Sequence, residues 1–137
     1  MSSFIDEIHD LGLRVFADLK LFDISETLSM DGILLKETKP ELLTTVCVAG
    51  VSAMKALKAE LPDTEVLGVT VLTSLDGHDT EEMFGRSVFR SVRKFATLAD
   101  EVKLDGLVCA ATDISSILEV VKRSMTFNTP AIRPTWA

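Results

Sequence analysis

Basic charge, histidine, cysteine and long apolar runs are all scarce in this chain, and each shortage narrows what it can be. Fourteen Lys and Arg stand against twenty-one Asp and Glu, a net charge of −7. That balance argues against a nucleic-acid-binding surface. Arg86, Arg90, Arg93 and Lys94 form a local exception along a predicted helix. They read first as a solvated helix face and only second as a phosphate site. Only His9 and His78 are available, which disfavours a structural zinc site. Cys47 and Cys109 lie in apolar runs without CxxC spacing, so they are expected to be small buried residues in a reducing compartment. No apolar run is long enough to span a membrane. Residues Met1 to Glu7 carry neither the basic nor the apolar region of a signal peptide, so a cytoplasmic location is expected. No GxGxxG follows any strand-like run, which weakens a dinucleotide-binding reading.

The chain does contain an even alternation of helix-period and strand-like segments. At 137 residues, 47% hydrophobic and 26% charged, it reads as a single globular domain over 1–137. Phe4, Ile8 and Leu11 mark a short amphipathic helix ending at Gly12. A strand is predicted over Leu13 to Leu19, then a helix from a capping Ser25 to Glu37. Leu42 to Val48 reads as the next strand, Val51 to Leu61 as a helix stopped by Pro62, and Val66 to Leu72 as a third strand. A polar loop, Ser74 to Thr80, leads to one long helix with the stripe Val88, Val92, Phe95, Ala99 and Val102. Gly106 to Ala110, a helix with Ile114, Ile117, Leu118 and Val121, and a strand opening at Thr126 to Thr129 complete the pattern.

Five strand-like runs without inside/outside alternation imply a parallel sheet covered by helices. Strict βα alternation fits a doubly wound sheet or a (β/α)8 barrel. The polar candidates Asp18, Lys20, Ser74 and Arg133 all fall at strand C-terminal ends, where barrel enzymes keep their sites. The expected fold is therefore an α/β, (β/α)8 TIM-barrel type, incomplete, with about five βα units.

The most informative stretch is Ala17 to Ile24, which places Asp18, Lys20 and Asp23 near the end of the first strand. Residues i and i+2 of a strand share a face, so Asp18 and Lys20 should project together. Spacing alone leaves a reactive site and an ordinary surface ion pair equally open.

This Asp-x-Lys-x-x-Asp-Ile pattern resembles the signature of the orotidine 5′-phosphate decarboxylase family. Gly68 to Ser74 (GVTVLTS) is similar to that family's fifth strand. Asp105 to Ala110 (DGLVCA) and Thr129 to Pro134 (TPAIRP) are similar to its sixth and seventh. The ordered set covers nearly the whole chain and corresponds to strands three to seven. The resemblance finds no counterpart for the family's first-strand Asp, second-strand Lys or eighth-strand Gly-Arg loop. Met1 and Ala137 both fall between barrel units. A truncated gene, a fragment or a split enzyme would each look this way. An open five-stranded piece should expose two sheet edges and apolar helix faces. Self-association as a homodimer, or a partner chain completing the barrel, is expected to cover them; otherwise the chain should be marginally stable.

What the resemblance implies is specific. Lys20 corresponds to the lysine that protonates C6 of the pyrimidine after CO2 leaves, and Asp18 to the carboxylate facing the substrate's own. Asp18 and Asp23 would keep Lys20 cationic, with Asp23 reaching across a dimer interface. Thr27 corresponds to a ribose-hydroxyl contact, although its bland role is to support the first turn of its helix. Ser74 corresponds to a pyrimidine contact, although a Ser there also suits a plain turn. Pro130 and Arg133 stand in the phosphate-proximal motif. No cofactor and no metal are implied. The chain departs from the family pattern at Ser25 (usually Pro), Cys47 (usually His) and Ala131 (usually Gly). Two alternatives accompany this reading. One is a catalytically inactive relative that binds a nucleotide or a partner protein. The other is a related metal-dependent sugar-phosphate decarboxylase.

Overall fold

A computed structural model describes residues 2–136; Met1 and Ala137, and the side chains of Ser2 and Ser3, lie outside the described residues. The elements follow the order α1 (Ser2–Asp10), β1 (Phe16–Leu21), α2 (Ser25–Thr38), β2 (Leu42–Val46), α3 (Val51–Glu60), β3 (Glu65–Val69), α4 (Gly77–Phe84), α5 (Val88–Glu101), β4 (Gly106–Val108), α6 (Ile114–Leu118) and β5 (Thr126–Asn128). All five strands are parallel and lie in sequence order, β1-β2-β3-β4-β5. Each strand therefore pairs with the next one in the chain, with a helical connection between them. No helix among the described residues is long and apolar enough to cross a membrane.

The core sits between the sheet and its helices. Val66, Leu67 and Val69 of β3 are all buried, as a central strand requires. Leu28 and Leu35 from α2, Met54 and Leu57 from α3, and Val92 and Phe95 from α5 pack into the same cluster. Each such side chain contributes about 1.5–3 kcal/mol by leaving water. Phe84 meets Phe95 edge-to-face, with ring centroids 5.3 Å apart. Below the sheet's N-terminal edge, the Asp105 carboxylate accepts the Val66 N–H (2.8 Å) and pairs with Lys58 Nζ at 2.7 Å.

Local chemistry moves several expected boundaries. β1 begins at Phe16 rather than Leu13, because Gly12 takes a left-handed φ of 73° and the Val15 N–H is held by the Glu41 carboxylate at 2.7 Å. β2 stops at Val46, and Cys47–Ala49 turn as a 3-10 helix before Gly50. β3 runs Glu65–Val69, shorter at its end than Val66 to Leu72, and β4 and β5 close at Val108 and Asn128. The helix expected to be capped by Ser25 has Ile24 at its N-cap, and no side chain caps it. The single long helix after the polar loop is two. Asp76 and Asp79 form a capping box for α4, Gly85 ends it at φ 66°, and Ser87 caps α5 through the Arg90 N–H.

Large apolar side chains remain outside. Phe16 and Leu19 are exposed along the β1 edge, as are Phe22 and Ile24 beyond it and Met30, Ile33 and Leu34 on α2. The expectation of uncovered apolar surface on an open five-stranded sheet is met at these positions.

Candidate active site

Asp18 and Lys20 meet where β1 departs from regular pairing. Ala17 pairs with Leu43 and Leu21 pairs with Thr45, so three residues of β1 stand opposite the single residue Thr44 of β2. The extra length forms a bulge, the device by which strands re-aim side chains. Lys20 absorbs it with a left-handed φ of 49°.

Two threonines of β2 hold the bulge. The Thr44 hydroxyl accepts the Lys20 backbone N–H (2.9 Å) and donates to Asp18 Oδ1 (2.8 Å). The Thr45 hydroxyl donates to the Leu21 carbonyl at 2.9 Å. Lys20 Nζ in turn donates to Asp18 Oδ2 at 2.6 Å. Asp18 thus engages both carboxylate oxygens in charge-assisted hydrogen bonds. The Lys20 ammonium bonded to it lowers its pKa from the ordinary carboxylate value. Partial burial opposes that shift, and the Thr44 hydroxyl reinforces it. Both charged side chains stay nearly half exposed, at 49% and 44% for Asp18 and Lys20. The pair is therefore a reachable one, not a buried strut.

Asp18 and Lys20 line a cavity of about 290 Å³ at the C-terminal ends of the strands. Across it stand Thr73 after β3, Cys109 after β4, and Asn128 and Pro130 at the end of β5. Burial beside Asp113 pushes the Cys109 thiol up to about 11, and full burial pushes Cys47 up to about 12. Both behave as the small buried residues the sequence implied, though Cys109 also contributes to the cavity wall. Among the described residues, no group of three or more His, Cys, Asp or Glu is arranged to hold a metal ion.

The remaining sequence candidates stand apart from this cavity. Asp23 is exposed, accepts the Ile24 N–H at 2.7 Å and does not pair with Lys20, so within one chain a single carboxylate, not two, flanks the ammonium. Thr27 is half-buried in the first turn of α2. Ser74 is exposed in the loop before α4, and its neighbour Thr73 takes the place on the cavity wall. Arg133 is exposed, with its guanidinium 3.4 Å from the Ile132 carbonyl. Ala131, where a Gly was the expected pattern, adopts a left-handed φ of 63°. The Arg86–Lys94 group is partly committed elsewhere: Arg93 pairs with Glu119 at 2.6 Å and stacks on Phe89.

Sequence reading missed Thr44, fully buried at the centre of the constellation. Its signal was two adjacent hydroxyls, Thr44 and Thr45, inside the otherwise apolar LLTTV run of β2. Asn128 and Thr73 were missed because only the sheet's register brings them to the same cavity.

Comparison with known proteins places these features in a family context. The model of the orotidine 5′-phosphate decarboxylase / HUMPS family matches residues 2–137. The orotidine 5′-phosphate decarboxylase of Nautilia profundicola is 32% identical over 137 residues, covering 97% of this chain and 60% of that protein. That of Sphingopyxis alaskensis is 36% identical over 132 residues, covering 95% and 58%. An uncharacterized conserved protein from Geobacillus kaustophilus superposes with a TM-score of 0.87 at 28% identity, over 94% of this chain and 65% of that one. Orotidine 5′-phosphate decarboxylase from Lactobacillus acidophilus shares the fold with a TM-score of 0.89 at 24% identity, over 98% and 64%. The chain spans about 60% of the length of the curated relatives it matches. The fold is α/β, an incomplete barrel of the TIM type with five parallel strands.

Proposed function

Because the chain belongs to the orotidine 5′-phosphate decarboxylase / HUMPS family, we propose that it carries the proton-donating half of an orotidine 5′-phosphate decarboxylase site. The reaction yields UMP and CO2, in pyrimidine biosynthesis. The observation that carries this reading is the Asp18–Lys20 pair, 2.6 Å apart on the rim of a cavity at the strand C-terminal ends.

The chemistry follows from those two groups. The C6–carboxylate bond of the pyrimidine breaks, CO2 leaves, and the bonding electrons remain on C6. Lys20 Nζ gives that carbon a proton, and its own charge stabilises the carbanion as it develops. Asp18, ionised and fixed by two hydrogen bonds, faces the departing carboxylate. Repulsion between the two carboxylates raises the bound ground state and vanishes as CO2 departs. Pro130 on the cavity wall, with Arg133 and Ser74 on the flanking loops, would meet the phosphate and the ring. Thr27 would meet the ribose.

Asp23 is assigned to a neighbouring site across a homodimer. Its exposure between the exposed apolar Phe22 and Ile24, on a chain that also exposes Met30, Ile33 and Leu34 of α2, supports a self-associating surface. A cytoplasmic location accords with this reading.

The test is a spectrophotometric decarboxylation assay of the purified chain with orotidine 5′-phosphate in the presence of EDTA, with Lys20→Ala as control. Turnover that survives EDTA and depends on Lys20 is expected. Turnover that needs a divalent metal, or that persists in Lys20→Ala, would reject the assignment. A folded sample that binds the nucleotide without turnover would favour an inactive, nucleotide-binding relative.

A further inference from the structure

We propose that Thr44 is the positioning residue of this site: its one hydroxyl fixes both the Asp18 carboxylate and the Lys20 backbone, and so determines where the Lys20 ammonium stands. The inference rests on the reading of Lys20 as proton donor and assigns a role to a residue that touches no reacting atom.

A threonine hydroxyl has one proton to donate and lone pairs to accept. Thr44 uses both on the site, giving its proton to Asp18 Oδ1 at 2.8 Å and accepting the Lys20 N–H at 2.9 Å. Its side chain is wholly buried, so the hydroxyl itself is shielded from water. The bulge makes this necessary. With three residues of β1 facing Thr44 alone, the strand ladder is interrupted there, and the Lys20 N–H turns to a side chain instead. Lys20 also holds a φ of 49°, a conformation that a lysine adopts only when its surroundings over-determine it. Remove the hydroxyl, and the backbone of Lys20 is free to relax toward regular strand geometry, carrying Nζ away from its place. Lys20 is the only charged side chain bonded to Asp18 among the described residues, and the thiol of Cys109 is the other titratable group on the cavity wall.

The test compares Thr44→Val, which keeps the shape and loses the hydroxyl, with Thr44→Ser, which keeps the hydroxyl. Three readouts are taken on the whole chain: the NMR titration midpoint of the Asp18 carboxyl, hydrogen exchange at the Lys20 amide, and kcat and KM with orotidine 5′-phosphate. Thr44→Val should move the Asp18 midpoint up toward an ordinary aspartate and speed Lys20 exchange at least about tenfold. It should lower kcat by about 10- to 100-fold with KM little changed, the scale expected when a reacting group is misplaced by about an ångström. Thr44→Ser should restore all three. A Thr44→Val protein with wild-type Asp18 midpoint and Lys20 exchange overturns the proposal, as does a Thr44→Ser protein that behaves like the valine variant. Should Thr44→Val not fold, the serine variant decides by itself: wild-type values support the hydroxyl's role, and altered values sink it. An inactive wild-type chain would remove the decarboxylase reading, while the titration and exchange data would still judge Thr44.

Discussion

Lys20 Nζ lies 2.6 Å from Asp18 Oδ2 although Lys20 itself has a left-handed φ of 49°, outside strand geometry. A regular strand would also place residues i and i+2 on one face. Here the contact is made through a bulge that Thr44 and Thr45 staple to β2. The same strain gives the site a measurable stability signature.

Lys20→Ala should reduce decarboxylation at least about 100-fold, the contribution of a positioned proton donor, while changing stability by no more than about 1 kcal/mol because the ion pair is half exposed. Lys20→Gly should be equally inactive yet more stable than Lys20→Ala by up to about 1 kcal/mol, since glycine accepts positive φ. Urea denaturation of the two variants reads the difference. A glycine variant clearly less stable than the alanine one would show that Lys20 is not strained.

Acid should weaken the fold through Asp18. Its folded-state pKa lies below the ordinary 3.8, first because of the Lys20 hydrogen bond. A depressed carboxylate stabilises the folded state above the unfolded value, and that contribution disappears as pH falls through the folded pKa. The wild-type stability curve should therefore steepen below about pH 4 relative to Asp18→Asn. Matching slopes for the two proteins across that range would refute the linkage.

Mixing variants tests the cross-subunit role of Asp23. If Lys20 and Asp23 meet from different chains, Lys20→Ala and Asp23→Asn dimers that exchange subunits each rebuild one intact site, and equimolar mixing restores about a quarter of wild-type activity. An inactive mixture would place both residues in the same subunit's site, and an Asp23→Asn protein fully active by itself would place Asp23 in none.

Gly106→Ala should destabilise the sheet by about 1–3 kcal/mol. A methyl there would stand 2.6 Å from the Thr126 carbonyl and 2.7 Å from Leu67 Cδ2, and would overlap the Thr126 hydroxyl. The obstacle is backbone of the paired strand β5, which cannot rotate away. Thermal unfolding of the variant checks this, and an unchanged midpoint would contradict the close approach.

Neither thiol should react with a water-soluble disulfide reagent in the native chain at pH 8. Cys47 and Cys109 are buried and hold pKa values of about 12 and about 11. Both should label at once in denaturant. Native labelling of Cys109 would mean that the cavity wall opens.

The sequence by itself determined the alternation of helices and strands, and so the parallel sheet, because apolar periodicity and capping residues act locally. It also singled out Asp18 and Lys20 as a charge pair at the end of an apolar strand, the pair that the structure brings to the cavity rim. The helix break at Gly85 was legible only as a glycine, and it took Ser87 capping Arg90 to make it an end. Tertiary structure alone decided the rest. Thr44 is twenty-four residues from Lys20 and became its hydrogen-bond partner only through the β1–β2 register. Thr73 and Asn128 entered the cavity, and Ser74 and Arg133 stayed outside it, because strand ends and loop directions are fixed by pairing between distant segments. Hydrogen-bond register is a long-range property, and no window of residues along the chain contains it.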